Sequence, residues 1–296
     1  MSITYRRGVI EDSRAVFDVF VESVTDLGEH MNITTIPGGR DPQAMQSLWL
    51  RRRAMFEFLA RDAAQFWLAE EGGKVIAYAR SIEHDGLLEL TEFFVLPEHQ
   101  SAGVGRELLA RAFQSRTAQH RVIIATTDGR ALARYLKAGV YARFPIKYFS
   151  RKAERVEVKT DLAFEPLATD YHMPDLNRID RALIGHARPV MHRWMVTDRE
   201  GFVYRRRGEV IGYGYANGPY ALMNDGDFPA ALAHAESRAA EKEKNFGVEV
   251  PLVNRRAIQY LLDRKCQIDA FHTLFMSSEP FGRFENYLCF SPIFFM

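Results

Sequence analysis

Between an apolar run and a helical one, residues 90–113 (LTEFFVLPEHQSAGVGRELLARAF) carry a proline, a polar turn and two glycines. Pro97 has no amide hydrogen, so strand pairing has to stop there. Gly103 and Gly105 have no side chain and let a ligand come close to the backbone. In a turn made of Gln100, Ser101, Ala102, Gly103, Val104 and Gly105, successive amides point into one concavity. The helix that follows adds the positive end of its dipole. This is an anion site built from backbone, and the ligand it suggests is a pyrophosphate. It is not a dinucleotide-binding loop, because no acidic residue follows at the end of a second parallel strand and Gln100 opens the turn.

Such a turn needs elements to hold it. SITYRR reads as a short strand, and EDSRAVFDVFVESV as a helix with Ala15, Val16, Val19, Phe20 and Val24 at helical spacing and Asp12 or Ser13 as its cap. MNITTIPGGRDP is a long loop, PQAMQSLWLRRRAMFEFLARD a second helix, and QFWLAE with KVIAYARSI a hairpin across EGG. LLELTEFFVLP is the strand entering the turn. Leu108, Leu109, Ala112 and Phe113 form the buried stripe of the helix leaving it, with Arg106, Glu107 and Arg111 outward. RVIIATTD, then the helix GRALARYLKAG ending at Gly139, then YARFPIKYFS, expected to complete the sheet, finish this half. The charged stretch SRKAERVE at 150–157 reads as a linker, and the order then begins again with LAFEPLA, PDLNRIDRALIG, the hairpin GFVYR and VIGYGYA, YALM, FPAALAHAESRAAEKEK, GVEVP and NRRAIQYLLDRK. The reading is two copies of one architecture, 1–150 and 156–296, with almost no identity between them. Each is a mixed sheet with helices on its faces.

Composition narrows the function. Over 296 residues, 47% apolar and 26% charged describe a folded chain, and a formal net charge of +1 gives no general affinity for nucleic acid or an anionic membrane. The arginine triplets at 51–53 and 205–207 are too short and isolated for a basic stripe. The cysteines, Cys266 and Cys289, form no CxxC, and His186 and His192 do not share a helix face, so no metal site is expected. The start, MSITYRRGVIEDS, lacks the apolar core of a signal peptide, and no run reaches the ~18 apolar residues of a membrane span. The expected location is the cytoplasm.

The strand and its turn resemble the fourth strand of the GNAT superfamily, the acyl-CoA-dependent N-acyltransferases. That family carries Q/R-x-x-G-x-G/A after its fourth strand, here complete from Gln100 to Gly105 after Val95, Leu96 and Pro97. Its next signature is Asn or a similar residue, then Ala, then Tyr four residues before Gly, matched here by Asp128, Ala131, Tyr135 and Gly139. The resemblance covers residues 3 to about 148. The second copy departs from it, since its strand is followed by MNDGDFPAALAHA. Asn254 and Ala257 keep the register of Asp128 and Ala131, but Leu261 stands for Tyr135 and Lys265 for Gly139. The pair is therefore similar to tandem-GNAT proteins with a degenerate second domain, an α/β (α+β) fold with mixed, mostly antiparallel sheets.

The resemblance implies an acetyl-CoA-dependent N-acetyltransferase acting on a small amine by direct attack. The pantetheine arm would lie along Phe94, Val95 and Leu96. The phosphates would meet the turn, Gln100, Ser101, Ala102, Gly103, Val104 and Gly105, with Arg106 and Asp128 close by. A backbone amide of the strand would hold the oxyanion. An alkyl amine titrates near ~10.4, so attack needs a base or a water relay. Glu92, nearer the thioester, is the first choice and Glu89 the second; being three apart, they should point to opposite faces of a regular strand. Tyr135 would protonate the departing thiolate. The acceptor side would be shaped by DLGEHMNITTIPGGRDP, with Glu29, His30 and Arg40 as its polar groups. A non-catalytic acyl-CoA sensor and a protein or peptide lysine acetyltransferase are the alternatives. Nucleic acid and membrane are not expected partners. The apolar tail is expected to end in a strand over 287–290, with 293–296 docked between the copies or, in a homodimer, on a second subunit.

Overall fold

The computed structural model describes residues 2–100 and 103–290. The expected site residues Ser101 and Ala102, and the tail at 293–296, lie outside them. By its internal contacts the chain divides into one unit of Met1–Ile123 with Asp128–Val140 and a second of Ile124–Thr127 with Tyr141–Met296.

The first unit is built on the strands β1 (Thr4–Arg7), β2 (Gln65–Glu71), β3 (Lys74–His84), β4 (Leu87–Val95) and β5 (His120–Ala125), in that spatial order. Neighbours are antiparallel except β4 and β5, which are parallel. One face carries α1 (Ser13–Met31) and α2 (Pro42–Asp62), and the other carries α3 (Val104–Ala112) and α4 (Gly129–Lys137). α2 starts at Pro42, whose missing amide would have been unpaired in any case, and the Asp41 carboxylate accepts the Ala44 amide at 2.7 Å. The apolar stripe of α1 is buried, and its Phe20 meets Phe56 of α2 and Phe94 of β4 edge-on, at 5.8 and 5.2 Å between ring centres. Across the sheet, the Ser81 hydroxyl of β3 donates to the Ala112 carbonyl of α3 at 2.7 Å.

The second unit holds β6 (Tyr141–Lys152), β7 (Ala163–Pro166), α5 (Thr169–Ile184), α6 (Pro189–Asp198), β8 (Gly201–Arg206), β9 (Glu209–Tyr215), β10 (Tyr220–Leu222), α7 (Phe228–Glu241), β11 (Asn245–Pro251), α8 (Arg255–Asp263), β12 (Gln267–Ser277) and β13 (Tyr287–Leu288). Five of these strands form an antiparallel sheet in the order β13-β10-β9-β8-β7. The segment YARFPIKYFS is β6, which pairs antiparallel with β11 on one edge and β12 on the other. Phe144, Ile146 and Phe149 of β6 are all buried, and Phe144 stacks on Phe275 of β12 at 4.8 Å. A long strand with such side chains is stable only with both edges paired and its apolar residues covered, and the second unit supplies both. The division thus falls after Val140, ahead of the charged stretch at 150–157. Cys266 and Cys289 are buried and not joined in a disulfide. Among the described residues no helix is long and apolar enough to cross a membrane.

Candidate active site

The site begins with an irregularity in β4. Its register against β3 runs Ile82↔Glu89, Ser81↔Leu90 and then Arg80↔Glu92, which leaves Thr91 as an extra residue. Thr91 is a β-bulge, held by its hydroxyl on the Arg80 carbonyl at 3.0 Å. The bulge corrects one expectation. Glu89 and Glu92 lie opposite Ile82 and Arg80, which are two apart on β3, so both glutamates share the face covered by α1 and α2. The parallel pairing of β4 with β5 runs from Leu87↔His120 to Leu90↔Ile123, and among the described residues it goes no further. From residue 92 to 95, β4 keeps β3 on one edge and turns the backbone groups of its other edge away from any β5 ladder.

At Pro97 the strand gives way to one turn of 3-10 helix, as the missing amide requires. Gln100 folds back, its side-chain amide donating to the Val95 carbonyl at 3.1 Å, so it braces the turn against the strand. Gly103 caps α3 in the left-handed region at φ +85°, and a Cβ there would enter open space. Gly105 is small for another reason, since a Cβ would stand 3.0 Å from the Phe93 ring. The Val104 and Gly105 amides, in the first turn of α3, have no intrahelical acceptor. Exposed Arg106 lies on the same turn, and the Arg134 Nε is 3.5 Å from the place of a Gly105 Cβ. Open space above a left-handed glycine, first-turn amides without an intrahelical acceptor and two guanidiniums fit a pyrophosphate group.

Tyr135 of α4 is buried on the α3 face, its ring edge-on to Phe93 at 6.2 Å. Burial, reinforced by the Asp128 charge, pushes its phenol above the usual range, so the proton is held at neutral pH. Asp128 caps α4 and accepts the Arg130 and Ala131 amides at 2.8 and 3.0 Å. Burial would raise its pKa, but those bonds and the Arg130 guanidinium hold it below the usual range. Its visible work is to fix the helix that carries Tyr135.

On the α1/α2 face, Glu92 is 2% exposed. Its carboxylate accepts Arg80 Nε at 2.5 Å and the Tyr78 hydroxyl at 3.0 Å, and a second nitrogen of Arg80 closes the ion pair. Arg80 also donates through Nη1 to the Phe56 carbonyl at 2.9 Å. This placement does not suit the expected general base, because Glu92 could accept a proton only by leaving a buried guanidinium unbalanced. Glu89 is equally buried. Arg40 of the loop after α1 pairs back onto that helix, with Glu22 at 2.8 Å and with Glu29 at 2.5 Å, and His30 Nδ1, near the end of α1, lies 2.8 Å from the Asp26 carbonyl. Neither Tyr78, Arg80 and Arg134 nor Arg52 of α2 was anticipated. Arg52 is partly buried, and burial together with Arg51 brings its pKa down to about 10 against the opposing field of Glu92. The signal for Arg80 was available, as an arginine flanked by apolar residues in KVIAYARSI.

The corresponding place in the second unit is closed. β10 pairs with β9 on one edge and with β13 on the other, through Tyr220↔Leu288 and Ala221↔Tyr287. Ahead of α7, where a phosphate would need amides, stand Asp225 and Asp227, then Phe228 and Pro229. Asp227 is paired with Arg206 at 2.8 Å. The expected strand at the end of the chain is β13, which fills the second unit's own slot.

Residues 33–140 match the model of the acetyltransferase (GNAT) family. No curated protein matches the chain. Among solved structures, a candidate acetyltransferase from Pyrococcus horikoshii is similar at 14% identity over 96% of this chain and 92% of that one, with a TM-score of 0.72. A tandem GNAT protein from the clavulanic acid biosynthesis pathway follows at 12% identity over 94% and 99%, TM-score 0.59. A GCN5-related N-acetyltransferase from Sphaerobacter thermophilus is similar at 12% identity over 95% and 97%, TM-score 0.58. At these identities the structural likenesses speak for a shared tandem fold.

Proposed function

We propose that this chain, a transferase carrying a GNAT acetyltransferase domain, moves the acetyl group of acetyl-CoA onto a small amine by direct attack. One observation carries the reading. Phe93, on the part of β4 released from β5, touches both the Gly105 position at the start of α3 and the ring of Tyr135. Released strand edge, anion cradle and proton donor therefore meet around one side chain.

Bound acetyl-CoA would supply an activated thioester. The residues to hold it are Phe94, Val95 and Leu96 along the strand and Gly103, Val104, Gly105, Arg106 and Arg134 at the phosphates. A β4 amide facing the released edge is placed to donate to a developing oxyanion. Tyr135 keeps its proton until a thiolate needs it. Glu92 and Arg80 fix the floor beneath the amine, which loses its proton to water. Steady-state thiol release, with a panel of amines varied against acetyl-CoA, tests this. Direct attack predicts intersecting double-reciprocal lines, and parallel lines would indicate an acyl-enzyme instead.

A further inference from the structure

Arg52 lies on the face shared by Phe20, Phe94 and Glu92. Its guanidinium is 5.6 Å from the centre of the Phe20 ring, and Phe20 meets Phe94 of the released strand edge at 5.2 Å. Its neighbours Arg51 and Arg53 are exposed, and Arg53 pairs with Glu57 at 2.6 Å. Arg52 is turned inward, and among the described residues it makes neither a hydrogen bond nor an ion pair. Donors drawn away from water without acceptors are costly, and a guanidinium cannot shed its charge as an ammonium can. The carboxylate whose field reaches it, Glu92, is already committed to Arg80 and Tyr78. Arg52 thus has no ion pair, among the described residues, with either carboxylate of this face, Glu89 or Glu92.

Resting on the acetyltransferase reading above, we infer that the acceptor is an amine that also bears a carboxylate, and that Arg52 anchors this group. The planar fork of a guanidinium takes a carboxylate through two parallel hydrogen bonds. Phe20 and Phe94 give the rest of the molecule an apolar wall. A polyamine would bring positive charge against a guanidinium that has no ion pair among the described residues. The carboxylates of α1 offer it little, because Glu22 and Glu29 are held by Arg40.

The test measures thiol release from acetyl-CoA with amino acids, each paired with its own carboxamide, and with spermidine as the cationic control. The acids should exceed their amides in kcat/KM by roughly 10- to 100-fold, expressed in KM. Arg52→Met should erase that preference. Arg52→Lys, which keeps the charge and loses the fork, should restore part of it. A normal rise in melting temperature with acetyl-CoA shows that each variant is folded. Equal use of acids and amides, preference for spermidine, or a preference that survives Arg52→Met would overturn the inference. Failure of the acetyltransferase reading looks different: no amine of any charge would release thiol, and both claims would fall.

Discussion

Gly103 and Asp227 occupy the same place in their two units, each capping the helix that follows the fourth strand, and they do opposite things. Gly103 leaves open space at the start of its helix, whereas Asp227 brings its own carboxylate and a salt bridge to Arg206. The strands before them differ in parallel fashion. β4 loses its β5 partner after Leu90, whereas β10 is paired on both edges because β13 returns to fill the gap. The later helices, by contrast, have stayed alike. Asp128 and Asn254 cap α4 and α8, and both helices end in the left-handed region, at Gly139 with φ +79° and Lys265 with φ +57°. The fold needs the caps and turns in both units. It needs the open slot in only one, and the second unit has closed its own with chain.

If this contrast is right, changing the cradle should have the largest effect. Gly103→Glu sets a carboxylate where a phosphate should lie and strains the left-handed cap, and should weaken acetyl-CoA binding by roughly 10³-fold or more in a calorimetric titration. Asp227→Gly in the second unit should leave that affinity as it was. A gain of binding there would mean that only the aspartate closes the site.

Next comes the pair Tyr135 and Leu261. Tyr135→Phe should lower turnover by roughly 10²-fold with acetyl-CoA affinity kept. Leu261→Ala should instead lower stability by about 2–5 kcal/mol, read from denaturant unfolding, with turnover intact where the protein is folded. Because burial and Asp128 push the Tyr135 phenol upward, its ionisation should not produce a falling limb of turnover near pH 10. Wild-type turnover in Tyr135→Phe, with chemistry limiting, would reduce the residue to packing.

Glu92 sharpens the comparison from the side of stability. Glu92→Gln should cost about 3–5 kcal/mol of stability by leaving Arg80 unbalanced. Its turnover at permissive temperature should fall less than roughly tenfold, since the proposal gives Glu92 no proton to carry. A stable variant with turnover lost would restore it as the base.

The smallest effect expected is in pH dependence. The second unit buries its own network, in which Asp180 accepts Arg188 Nε and His192 Nε2, each at 3.0 Å. Burial would raise Asp180, but Arg188 and His192 hold it well below the usual carboxylate range. A carboxylate lowered in the folded state stabilises the protein above its unfolded pKa of ~3.9, and that stability is lost as pH falls from there toward the folded value. Asp180→Asn should therefore flatten the fall of the urea midpoint between about pH 4 and pH 2. An unchanged slope would assign the acid limb to other groups.

Much of this was legible in local sequence. Pro97, Gly103 and Gly139 announce a strand end, a helix start and a helix end through their own backbone limits. In the register of Asp128, Ala131 and Tyr135 against Asn254, Ala257 and Leu261, the first of each set caps its helix, Tyr135, Ala257 and Leu261 are buried, and Ala131 is half-buried. What escaped depends on pairing across the chain. The bulge at Thr91 puts Glu89 and Glu92 on one face, and nothing in LELTEFFV marks an extra residue. The partners of β6 lie about a hundred residues away in sequence, and nothing in YARFPIKYFS names them. α6 and β12 were not anticipated, because HARPVMHRWMVTD and QIDAFHTLFMS mix polar and apolar residues without a clean period.

The central claim is that the chain keeps one open acyl-CoA slot and has filled the other with itself. Titrating acetyl-CoA into the purified protein in a calorimeter tests it most directly. The account predicts one site per chain, lost in Gly103→Glu and kept in Asp227→Gly. Two sites of equal affinity, or one that survives Gly103→Glu, would contradict it.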